Sequence, residues 1–112
     1  MGGARPIFGF LNGTAEVLAA PDHAARVLEL ARVLGECGFG DEARWFLLAA
    51  VHALGVALAL EHRLPAPGDT AAALQAPLGQ WWAAGLPVLK AYQQDPAADW
   101  KAVMEVLSKQ VG

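Results

Sequence analysis

Charge and cysteine are both scarce in this sequence. Charged residues make up 17% of the 112 residues, whereas a typical soluble domain has about 25%. The eight lysines and arginines are scattered and the formal net charge is −3, and because nucleic-acid binding needs a basic patch, no DNA partner is expected. The single cysteine, Cys37, excludes an internal disulfide and fits a reducing, cytoplasmic environment.

Recognisable catalytic and cofactor motifs are also missing. The three histidines and one cysteine do not have zinc-ligand spacing such as H-E-x-x-H or C-x-x-C. The sequence has no P-loop, no G-x-S-x-G and no cysteine with a nearby base. The turn GFGDEA could hold an anion, but Asp41 and Glu42 would repel one. We therefore predict no metal, no cofactor and no catalytic residue, and a non-enzymatic role is favoured.

Apolar residues are present in excess. They make up 55% of the chain, and in the stretch Trp45 to Leu60, WFLLAAVHALGVALAL, only His52 and Gly55 are not apolar. As a helix this stretch is roughly 24 Å long, and a helix that is hydrophobic on all sides must be covered on all sides. It is short of the roughly 20 residues that span a bilayer and has a histidine at its middle, so no membrane span is predicted. A second copy or another protein is expected to cover part of it, most simply in a homodimer.

The hydrophobic periodicity predicts one all-α domain over residues 1–112, with an irregular N-terminal arm over residues 1–13. One long helix runs from Asp22 to about Cys37, and a second, capped by Asp41, ends near Arg63. Because only three residues link them, the two should form a long antiparallel hairpin, the basis of a small helical bundle. The remaining predicted helices, each bounded by proline, glycine or a capping residue, are 15–20, 71–76 (capped by Asp69 or Thr70), 78–84, 88–94 and, after Asp95-Pro96, 97 to about 110.

Four polar residues of the central helix are the candidate ligand-binding residues: Arg44, His52, Glu61 and His62. His52 is the only polar group within the apolar stretch, and burial or a neighbouring carboxylate would make it pH-sensitive. The simpler interpretation is a histidine hydrogen-bonded to a facing helix or across a dimer axis. Glu61, His62 and Arg63 are consecutive, so their side chains point in different directions, which favours a solvated helix end.

Four tryptophans are many for a chain of this size: Trp45, Trp81, Trp82 and Trp100. Packing in the core or at an interface is the favoured role, and stacking on a planar ligand is the alternative. Trp81 and Trp82 are about 100° apart on a helix, so one of them should face a partner or a groove. We therefore predict the four tryptophans as interface residues.

Two families share parts of this pattern. The stretch LGECGFGDEARWFLLAA resembles the turn and second helix of a tetratricopeptide repeat, although one copy is present and such solenoids need about three. Over residues 34–78, which contain GFGDEARWFLLAAVHALGVALALEHRLPAPGDTAAAL, the chain is similar to the HEPN family of small helical bundles. That resemblance implies a bundle that dimerises, and either pairs with a minimal nucleotidyltransferase or acts as a ribonuclease.

The ribonuclease branch of the HEPN family uses an Arg-x(4–6)-His signature, from which this chain departs. Seven residues separate Arg44 from His52, and Ala71 stands where the histidine after the loop threonine is usual. The sequence therefore predicts a HEPN-like, non-enzymatic binding or assembly module. A HEPN-type ribonuclease or nucleotide-handling enzyme and a tetratricopeptide-like scaffold fragment are the alternatives.

Overall fold

The computed structural model describes residues 21–95 and 97–111, and their regular structure is entirely helical. The helices are α1 (Pro21–Glu36), α2 (Gly40–Glu61), α3 (Thr70–Ala73), a 3-10 segment (Leu78–Gly85), α4 (Leu86–Gln94) and α5 (Trp100–Val111). The all-α prediction is confirmed for these residues. The predicted N-terminal arm, 1–13, and the predicted helix 15–20 lie outside the described residues.

The connection between α1 and α2 is a three-residue turn. Gly38 has φ 90°, a left-handed conformation that suits glycine after a helix C-terminus. The Phe39 amide then donates to the Leu34 carbonyl at 2.8 Å. The prediction that Asp41 caps α2 is wrong, because α2 begins at Gly40 and its N-cap, Phe39, makes no side-chain capping bond. Asp41 and Glu42 lie instead in the first turn, where negative charge favours the helix dipole.

The core is built around α2, which packs against α1, α3, the 3-10 segment and α5. Leu47, Ala50 and Val51 of α2 are at most 1% exposed. They share one apolar cluster with Leu28 and Ala31 of α1, Ala73 of α3, Trp82 of the 3-10 segment, Leu89 and Tyr92 of α4, and Val103 and Leu107 of α5. α2 is long and apolar enough to cross a membrane by length and composition alone. The core helix of a water-soluble protein meets the same two criteria.

Several predicted boundaries after α2 are corrected. α2 ends at Glu61 and α3 at Ala73, and the Asp69 carboxylate accepts the Ala72 amide at 2.8 Å, as its predicted capping role requires. Pro87 does not break a helix but lies in the first turn of α4, where a missing amide hydrogen costs nothing.

The last helix begins at Trp100 and not at Ala97. Asp95 accepts the Ala97 amide at 2.9 Å in a local turn, and Asp99 then accepts the Lys101 amide at 2.9 Å. Aspartate side chains form such turns readily, so the predicted start at Asp95 makes a separate turn and the helix begins after Asp99.

Candidate functional site

Arg44, in the second turn of α2, is bound to the end of α4. One guanidinium nitrogen donates to the carbonyls of Tyr92 and Asp95, and the other donates to the Gln93 carbonyl at 2.9 Å. The last carbonyls of a helix have no partner within it, and an arginine is well suited to bind them. The guanidinium carbon also lies 4.9 Å from the centre of the Tyr92 ring, a cation–π distance. Arg44 therefore joins two helices with the donors that an anionic ligand would need.

Tyr92, below Arg44, is a polar residue of the core that the sequence did not single out. Its side chain is 2% exposed, and its hydroxyl is the one buried side-chain polar atom among the described residues that has no hydrogen-bond partner. Burial raises the pKa of the Tyr92 phenol, and the nearby positive charge of Arg44 opposes that rise. It is the single tyrosine of the chain and belongs to no motif. Its position on the apolar side of α4 was therefore the only indication in the sequence that it would be buried.

His52 holds the loop that follows α2. Its Nε2 lies 2.8 Å from the Pro67 carbonyl, and because a carbonyl can only accept, the ring nitrogen must donate. Nearby, the Thr70 hydroxyl donates to the Leu48 carbonyl at 2.8 Å. The simpler interpretation of His52 as a hydrogen-bonded histidine thus applies, but its partner is a loop and neither a facing helix nor a second copy.

Gly55, one turn beyond His52, allows α3 to approach α2. A Cβ atom at Gly55 would lie 2.5 Å from the Ala73 Cβ and 3.4 Å from the Pro67 side chain. Real Cβ atoms do not come that close, so this contact needs glycine. The two non-apolar positions of the central stretch therefore serve one purpose, because both attach the 64–73 segment to α2.

Glu61 and His62 lie at the C-terminal end of α2. The imidazole of His62 stacks on the indole of Trp81, with ring centres 3.9 Å apart and planes 14° apart. His62 Nε2 is 3.4 Å from a Glu61 carboxylate oxygen, and the side chain of Glu61 is 69% exposed. Glu61, His62 and Arg63 are all exposed, as the predicted solvated helix end requires, and the His62 ring also contacts the 3-10 segment through Trp81.

Two shallow clefts flank the end of α5. One has a volume of about 220 Å³ and is lined by Leu54, Ala57, Leu58, Glu61 and Gln110. The other has about 360 Å³ and is lined by residues Trp82 to Gly85 together with Val106, Lys109 and Gln110. Apart from Glu61, Lys109 and Gln110 their walls are apolar, so they offer no pair of groups for acid–base chemistry. Among the described residues, no cluster of histidine, cysteine, aspartate or glutamate could hold a metal ion.

The four candidate ligand-binding residues do not converge on one site. Arg44 and Glu61 are separated by 17 positions of the same helix, which is about 26 Å along its axis. Arg44 lies at the end of α4, His52 against the 64–73 segment, and Glu61 with His62 beside Trp81. Each position is explained by a contact within the chain.

The four tryptophans differ in their burial and in their contacts. Trp82 is 3% exposed and its indole N–H donates to the Ala73 carbonyl at 2.8 Å, so it is a core residue of this chain and not an interface residue. Trp100 covers Gly35 of α1, where a Cβ atom would lie 2.5 Å from the indole ring. Trp81 is half-buried against His62. Trp45 alone among them is largely exposed, at 72%.

Comparison with known proteins gives no match: no family model, no curated protein and no solved structure corresponds to this chain. The HEPN-like resemblance therefore stays a prediction from the sequence.

Proposed function

We propose that this chain is a non-enzymatic helical assembly module that acts as a homodimer, with α1 and α2 arranged as an antiparallel hairpin of HEPN-like type. The observation that carries the proposal is apolar exposure. Within the described residues five large hydrophobic side chains are between 45% and 72% exposed: Leu30, Val33, Phe39, Trp45 and Leu60. Burying such surface against a second chain gains about 25 cal/mol per Å², and tryptophan is enriched at protein interfaces.

The contacts of Arg44 and His52 support a non-enzymatic role. The donors of Arg44 are directed to three backbone carbonyls, and the Nε2 of His52 is directed to a fourth. A ribonuclease of the alternative type would need both side chains to face the same substrate. Arg44 is instead bound to the end of α4 and His52 to the loop that follows α2.

The homodimer is tested by sedimentation equilibrium of the purified chain over a micromolar concentration series. The expected mass is twice that of the 11.7 kDa chain, falling toward the single-chain mass on dilution. A single-chain mass at the highest concentration would overturn the homodimer.

The non-enzymatic role is tested by incubating the protein with labelled single-stranded RNA, with His52→Ala as the matched variant. No cleavage is expected from either protein. Cleavage by the wild-type chain that disappears in His52→Ala, with helicity retained by circular dichroism, would favour the ribonuclease alternative instead.

A further inference from the structure

Four of the five exposed hydrophobic residues lie at one end of the α1–α2 pair. Leu30 and Val33 are in the last two turns of α1, Phe39 is in the connecting turn, and Trp45 is in the second turn of α2. Each lies within about 10 Å of the connecting turn along the helix axes. We call Leu30, Val33, Phe39 and Trp45 the apolar end. Leu60, the fifth exposed residue, lies at the opposite end of α2.

The apolar end is large enough to matter for association. A tryptophan or phenylalanine buries about 150–250 Å² when covered completely. Phe39 is 54% and Trp45 is 72% exposed, so the two rings present on the order of 300 Å² to solvent. A standard interface buries about 800 Å² on each partner, and these two rings alone supply more than a third of that area.

The charges around the apolar end determine which partner fits. Four exposed acidic residues lie within a few positions of its members along the chain: Glu29, Glu36, Asp41 and Glu42. The guanidinium of Arg32 is already paired with Glu29 and Glu36. The remaining negative charge would be repelled by anionic lipid headgroups or by a phosphate backbone. The partner must therefore bring apolar surface together with positive charge.

A second copy of α1 supplies both. Arg26 lies four residues before Leu30 and seven before Val33, so the three side chains share one face of the helix. Arg26 thus precedes the two apolar residues and Glu36 follows them, while Glu29 and Arg32 between them form an ion pair with each other. When two such helices run antiparallel, Arg26 of each copy lies near Glu36 of the other. A parallel pair would place Glu36 of one copy against Glu36 of the other.

We propose that two copies of the chain associate through the apolar end, with their α1 helices antiparallel about a two-fold axis between Leu30 and Val33. Leu30 of each copy then faces Val33 of the other, and Arg26 lies beside Glu36. This inference rests on the homodimer proposed above and names its interface and its orientation.

Point variants in the full chain test the location of the interface. Trp45→Ser and Val33→Ser should each raise the dimer dissociation constant by tenfold or more, whereas Leu60→Ser, the matched control at the other end of α2, should change it by less than about twofold. A dimer that all three variants leave intact would overturn the inference while the homodimer stands. A monomeric wild-type chain would overturn both.

Other occupants of the apolar end give different results with the same proteins. If Trp45→Ser lowers stability but leaves the dimer mass unchanged, the apolar end packs within its own chain. If wild-type protein binds phosphatidylcholine vesicles and Trp45→Ser does not, the occupant is a lipid surface. Either result overturns the inference.

Charge reversal and Cys37 test the orientation. Arg26→Glu should weaken the dimer at low salt, and the double variant Arg26→Glu/Glu36→Arg should recover affinity, since in an antiparallel pair each reversed charge meets its reversed partner. The exposed Cys37 residues of such a pair lie about 16 Å apart along the axis, too far for a disulfide. No recovery in the double variant, or rapid disulfide formation by the dimer under a mild oxidant, would overturn the antiparallel arrangement.

Discussion

Replacing Arg44 by alanine should release the end of α4 from α2. The substitution removes three hydrogen bonds from a charged donor and leaves the carbonyls of Tyr92, Gln93 and Asp95 without it. Hydrogen bonds to charged groups contribute about 1.5–3 kcal/mol each. The bonds to Tyr92 and Gln93 are partly buried, and the bond to Asp95 is exposed. Water can replace the exposed bond, so the three losses do not add fully. We expect the free energy of unfolding to fall by about 2–4 kcal/mol.

Two further variants separate the geometry of Arg44 from its charge. Arg44→Lys keeps the charge but loses the planar fork that serves three carbonyls at once, so about half of the loss is expected. Arg32→Ala removes an exposed guanidinium that makes only surface ion pairs with Glu29 and Glu36, and such pairs contribute little to stability. Arg32→Ala should therefore unfold almost as the wild-type chain does.

The assay is urea unfolding followed by circular dichroism at one fixed protein concentration, because dimerisation would make the apparent stability depend on concentration. A decrease of less than about 0.5 kcal/mol in the unfolding free energy of Arg44→Ala, the usual range of a surface substitution, would refute the prediction. Equal stability of Arg44→Lys and the wild-type chain would refute the role of the fork geometry.

Two further predictions concern α2 and Tyr92. Gly55→Ala should destabilise the fold by about 1–3 kcal/mol through overpacking against Ala73, although alanine has the better helix propensity. Gly40→Ala is the control and should not destabilise the fold, because no atom lies within 4 Å of the added Cβ. Equal urea midpoints for the two variants would contradict the prediction. The raised pKa of Tyr92 means that above about pH 10 the unfolded chain loses a proton that the folded chain retains. Stability should therefore fall as the pH rises through that range, and Tyr92→Phe should remove part of the fall. Absorbance at about 295 nm follows the single tyrosinate, and a native midpoint at the ordinary value for tyrosine would refute the argument.

The sequence predicted the helices where local signals were strong and unopposed. The stripe of α1, the turn at Gly38 and the apolar character of α2 each reflect neighbours along the chain, and all three predictions agree with the described structure. The Asp69 cap is equally local, because it depends on an amide three residues away. At the last helix the predicted start at Asp95 was wrong, because the Asp95 side chain closes a separate local turn and the helix begins at Trp100.

The roles of the polar side chains were beyond the sequence because their partners are distant in it. Arg44 binds carbonyls 48 to 51 residues away, and His52 binds one 15 residues away. Backbone carbonyls have no residue identity, so no pattern in the sequence marks them as partners. A polar residue on an apolar helix looks like a ligand-binding residue in the sequence. A residue that joins two segments of the same chain through a hydrogen bond has the same appearance.

The burial along α2 indicates how strong the proposed dimer should be. Small residues occupy much of its buried surface, with Ala43, Ala50, Ala53 and Ala59 at most 1% exposed, so α1, α3 and α5 can approach the helix closely. The large hydrophobic side chains of α2 that stay exposed are Trp45 and Leu60, near its two ends. The second copy therefore has only the apolar end to bury, an area near or below that of a standard interface. Association also has to offset several kcal/mol of lost translational and rotational freedom. The dimer should consequently be one that dissociates at micromolar concentration, which is why the dilution series, more than a single mass, is the decisive measurement.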